Sequence, residues 1–69
     1  MPLSLVKALR LLMSDCSNGY AKTYARAMLR DGNWMTEDER RTQIQYILSN
    51  TGGWRGETAR EVKKVLRAY

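Results

Sequence analysis

The sequence predicts an all-α fold, a compact bundle of four short helices forming one domain over residues 1–69. Three observations carry that expectation. Proline occurs once, at position 2, and the glycines stand at positions 19, 32, 52, 53 and 56, so punctuation cuts the chain into four segments of helical length. Within each segment the apolar residues recur at helical spacing, and no stretch alternates strictly as a half-buried strand would. At 69 residues there is room for only one core.

The first segment is expected to be helical from Pro2 or Leu3 to Cys16, with Pro2 suited to a first turn where its missing donor costs nothing. At 100° per residue, Leu5, Val6, Ala8, Leu9, Leu12, Met13 and Cys16 share one broad arc. Leu3 and Leu11 fall outside it, beside Lys7, Arg10 and Ser14, either as ordinary surface leucines or as a contact facing a partner. Lys7 and Arg10 interrupt the apolar run, which argues against a signal peptide or membrane anchor and for a cytoplasmic protein with no membrane partner.

Asn18-Gly19 makes a tight connection to a second helix over Tyr20 to Asp31, for which Gly32 is a natural left-handed C-terminal cap. Tyr20, Ala21, Tyr24, Ala25, Ala27, Met28 and Leu29 occupy its inner side, leaving Lys22, Arg26 and Arg30 as a basic stripe at i, i+4, i+8. The third helix has the clearest start signal: Thr36-Glu37-Asp38-Glu39 matches the capping box, and three early acids suit the positive end of the helix dipole. Ile44, Ile47 and Leu48 form its buried stripe, and Thr42, Gln43, Gln45, Tyr46 and Ser49 a polar, nearly uncharged face.

The fourth helix begins near Gly56 or Glu57 and continues to Tyr69, with Ala59, Val62, Val65, Leu66 and Tyr69 inward. Arg60, Lys63, Lys64 and Arg67 face outward, with Glu57 to Arg60 and Glu61 to Lys64 as candidate i, i+3 pairs. A short echo joins the two halves, since Gly32-x-Trp34-x-x-Glu37-x-x-Arg40 recurs as Gly52-x-Trp54-x-x-Glu57-x-x-Arg60. Each tryptophan precedes a helix, and the simplest expectation is that each packs beneath it. The functional alternative is an exposed loop contact, for which Trp54 with Arg55 is the candidate.

Chemistry is constrained by what is missing. There is no histidine and only one cysteine, Cys16, which lies on the apolar arc, so neither disulfide pairing within the chain nor a common zinc site is expected. No phosphate-loop motif is present, and Gly52-Gly53-Trp54-Arg55-Gly56 reads as a connection more than a phosphate cradle. The expectation is a non-enzymatic binding protein with no metal or cofactor.

A net charge of +5 leaves three partner classes. The first is another protein, met through the first helix or the tryptophan loops. The second is nucleic acid, met through Lys22, Arg26 and Arg30 together with Arg60, Lys63, Lys64 and Arg67. The third is a small anion such as a nucleotide, held between subunits near Lys22 and Arg26 with Tyr20, Tyr24 or Tyr46. Self-association as a homo-oligomer is expected because so small a core lacks a covalent staple.

The segment Thr42-Gln43-Ile44-Gln45-Tyr46-Ile47-Leu48-Ser49-Asn50, followed by Trp54-Arg55-Gly56-Glu57 and Ala59-Arg60-Glu61-Val62-Lys63, resembles small uncharacterised phage and prophage proteins over roughly residues 40–69. The resemblance implies a context in which short proteins bind host components. It ranks a host protein partner just ahead of nucleic acid and assigns no role to any residue.

Overall fold

Four α-helices and one 3₁₀ turn make up residues 3–69, the part of the chain that the computed structural model describes. The reading of Pro2 as a first-turn residue lies outside the described residues. The first helix, α1 (Leu5–Asp15), opens on Ser4, whose hydroxyl accepts from the Lys7 amide at 3.1 Å. Ala8, Leu9, Leu12 and Cys16 are buried, and Leu5 and Met13 half-buried.

Two residues of α1 depart from the expected arc. Val6 is 51% exposed, whereas Leu11 is half-buried against the core, as is Leu3. The reason is that α1 packs on two neighbours, α2 (Gly19–Asp31) and α4 (Glu57–Arg67). The α4 side is marked by Asp15, whose carboxylate binds Trp54 just ahead of that helix. On a helical wheel Leu11 stands about 40° from Asp15, and Val6 about 180° away. The side towards α4 thus holds the half-buried Leu11 while Val6 stays open, and Leu3 and Leu11 both keep part of their surface in water.

α2 is capped by Asn18, which accepts from the Ala21 amide at 2.9 Å, and it buries Ala21, Ala25 and Met28. Tyr20, expected inward, is exposed, while Tyr24 stacks on Tyr46 with ring centroids 5.3 Å apart. Gly32 does not act as a left-handed cap. Its φ is −57°, and the chain runs on through a 3₁₀ turn (Gly32–Trp34) closed by the Met35 amide on the Gly32 carbonyl at 3.3 Å. That turn brings Met35 onto the core and turns Trp34 outward, 88% exposed.

α3 (Glu37–Ser49) has the expected capping box with both arms at 3.1 Å, Thr36 Oγ1 accepting from the Glu39 amide and Glu39 Oε1 from the Thr36 amide. Replacing the hydroxyl removes one arm. Thr36→Ala is expected to cost about 1 kcal/mol, visible in a thermal melt as a Tm lowered by roughly 4 to 8 °C. Ile44 and Ile47 are buried and Leu48 packs beside them, as the stripe predicts. Residues of all four helices join in one hydrophobic cluster, with principal packing of α1 on α2, α1 on α4 and α2 on α3. Among the described residues no helix is long and apolar enough to cross a membrane.

Candidate anion-binding ridge on α4

The connection from α3 to α4 is held firmly. Thr51, 1% exposed, donates its hydroxyl to the Leu48 carbonyl at 3.1 Å, and its own carbonyl accepts from the Trp54 amide at 3.0 Å. The exposed Gly52 and Gly53 form the tip of that turn. Trp54 is then fixed at both its ends: its indole Nε1 donates to Asp15 Oδ2 at 2.7 Å, and its carbonyl accepts from Lys63 Nζ at 2.7 Å. The indole is half-buried against the core, so Trp54 is only partly open where the sequence offered an exposed contact, while Arg55 beside it is exposed. Trp34 is the exposed member of the pair, so the sequence echo does not extend to packing.

Anchoring Trp54 sets where α4 begins. Gly56 precedes it at φ 115° and ψ 178°, a conformation almost closed to residues with a Cβ, and contributes no capping side chain. The first amides of α4 are therefore left without a side-chain acceptor. A Cβ at Gly56 would meet nothing within 4 Å, so the cost of substitution is backbone strain alone. Gly56→Ala is expected to lose about 1 to 3 kcal/mol, measured by urea unfolding with an unchanged m-value.

Four cations run from this start along α4. Arg55, Arg60, Lys63 and Arg67, with Trp54, Gly56 and Ala59, line an open groove of about 310 Å³. Gly56, Arg60, Lys63 and Arg67 follow one another at i, i+4, i+7 and i+11, which is one ridge of a helix roughly 16 Å long. Glu57 and Glu61 stand about 90° and 130° around the helix from the middle of that ridge. Neither forms the expected ion pair with Arg60 or Lys64: the ion pairs among the described residues are Arg30–Asp31 and Arg41–Glu37. Lys64 faces a different hollow, beside Leu3, Glu61 and Val65.

The second basic set is weaker. Lys22 is half-buried, and Arg30 is engaged with Asp31 through Nη2 and Nε, both at 3.1 Å. Only Arg26 and the tip of Lys22 remain uncommitted on that stripe. Asp15 is engaged by Trp54 and Glu39 by the α3 cap; Asp38, Glu57 and Glu61 form no ion pair among the described residues, but none of them lines the α4 groove, which stays a concentration of positive charge. α4 ends at Arg67, two residues earlier than expected, and Tyr69 is exposed.

The Asp15 contact had no local signal, because it joins residues 39 positions apart. The ridge was legible as spacing; its separation from Lys64 and its union with Arg55 were not. No protein-family model, curated protein or solved structure shows significant similarity to this chain.

Proposed function

We propose that this protein acts by binding rather than catalysis, and that its ligand is the phosphate backbone of nucleic acid, held along the α4 ridge without base-specific readout. The observation that supports this reading is the convergence of Arg55, Arg60, Lys63 and Arg67 on one groove with no carboxylate lining it. Length favours a polymer over a single small anion, since a ridge of roughly 16 Å outreaches one phosphate group. Chemistry favours nucleic acid over protein at this surface, because Ala59 and the edge of Trp54 offer little apolar area for a protein partner to bury. The uncapped start of α4 adds donors aimed along the helix axis.

Titration of labelled single-stranded and duplex oligonucleotides between 50 and 200 mM salt tests the assignment. With four phosphates engaged, log K is expected to fall against log salt with a slope of about −2.8 for single strands and −3.6 for duplex. A salt-independent affinity, or none at the low-salt end, would overturn it.

A further inference from the structure

A second groove, of about 440 Å³, opens between α1 and α2 and has the opposite character. Leu5, Val6, Leu9, Met28 and Leu29 line it with hydrocarbon, and Arg10 and Arg40 supply its charge. No carboxylate lines it. Val6 leaves half its surface in water at this site, and Trp34, immediately after the groove residue Asn33, is 88% exposed. An exposed valine and tryptophan beside one apolar groove are a feature of a surface that another molecule covers.

The arginines say which molecule. Arg10 has no ion-pair partner among the described residues. Arg40 reaches only the Met35 carbonyl, at 3.4 Å through Nη2, and its Nε is buried without any acceptor. Arg10 offers its whole guanidinium and Arg40 its remaining Nη donors, its Nε being buried out of reach, and carboxylates are the acceptors such donors fit. A second copy of this chain is a poor occupant: a two-fold contact presses a patch against itself, and this patch would bring arginine towards arginine. A nucleic-acid backbone gains nothing from five aliphatic side chains.

We infer that the α1/α2 groove docks an acidic amphipathic helix of a partner protein, with its apolar side chains on the Val6, Leu9, Met28 and Leu29 floor and its carboxylates on Arg10 and Arg40. This inference stands apart from the α4 reading and uses none of its residues. The probe is a labelled helical peptide carrying leucine at i, i+3, i+4 and i+7 and glutamate elsewhere, with a second peptide in which lysine replaces every glutamate. Fluorescence anisotropy with the full chain is expected to show binding of the glutamate peptide and not of the lysine peptide.

Arg10→Glu is expected to weaken the glutamate peptide by about tenfold and to admit the lysine peptide, because the sign of the rim charge sets which partner is tolerated. Val6→Asp should weaken it comparably, and Arg60→Glu with Arg67→Glu should leave it within about twofold if rim charges far from the site act only through screened fields. Both groove positions are exposed, so circular dichroism should report the native helix content in each variant. Three results would each overturn the inference: equal binding of the two peptides, no binding of the glutamate peptide by folded protein, or its loss in the α4 double variant. Light scattering that shows a dimer dissociated by Val6→Asp would also overturn it, since a second copy would then cover the groove.

Discussion

Arg60→Glu combined with Arg67→Glu is expected to reduce oligonucleotide affinity by about a hundredfold at low salt, an order of magnitude or 1.4 kcal/mol for each reversed charge. The salt slope for duplex should fall with it, from about −3.6 to about −1.8, as the engaged phosphates drop from four to two. Stability should not follow, because both side chains are exposed and neither forms an ion pair among the described residues. Exposed substitutions away from caps and cores usually lie within about 0.5 kcal/mol of neutral. Lys64→Glu and Arg26→Glu carry the same change in net charge at positions off the ridge, and each is expected to lower affinity by no more than about threefold through the general field. A pair of controls that matched the ridge variant would show that total charge, and not the groove, governs binding.

Leu12→Ala is expected to bring the chain to the edge of unfolding. Leu12 is fully buried in α1, the helix that packs against both α2 and α4, so truncation leaves a cavity where two interfaces meet. Buried leucine-to-alanine changes cost about 2.7 to 5 kcal/mol. A chain of this length has a total stability of about 3.5 to 10 kcal/mol. The melting temperature should therefore fall by at least roughly 11 °C, and the upper end of the range removes the cooperative transition altogether. Val6→Ala, six residues earlier and on the open side of the same helix, is expected to stay within about 0.5 kcal/mol. A comparable loss at both positions would place α1 in a different rotation about its axis.

Local chemistry and long-range packing divide the legible from the illegible. The α3 start was readable because a capping box is complete within four consecutive residues, each satisfying the other's backbone donor. The Ile44 and Ile47 stripe was readable for a related reason: α3 packs chiefly on one neighbour, α2, and one neighbour imposes one narrow apolar face. α1 has two neighbours, and its buried sector depends on where the second of them lands. No pattern inside residues 3–16 contains that information, which is why Val6 and Leu11 exchanged sides.

The two tryptophans make the same point about function. They share a local motif, yet Trp54 finds Asp15 across the fold and becomes an anchor, whereas Trp34 follows a 3₁₀ turn and stays in water. Gly32 contributed to that difference by remaining right-handed, which carries the chain into the 3₁₀ turn that ends with Met35 on the core.

By itself, then, the sequence determined the all-α class, the four helices, the α3 cap, most of the core and the periodic basic ridge of α4, because spacing, caps and glycine punctuation act over a few residues. Tertiary structure alone decided which charges stand together and which apolar residues stay uncovered. Arg55 joins Arg60, Lys63 and Arg67 only because Trp54 is tied to Asp15 and Lys63, and Val6 meets Arg10, Arg40 and Met28 in one groove only because α1 lies across α2. The α1/α2 groove joins residues far apart in the chain, and the α4 groove is set by the Trp54–Asp15 bond across 39 positions; the energy that holds both is the burial of a shared core, which no local pattern encodes.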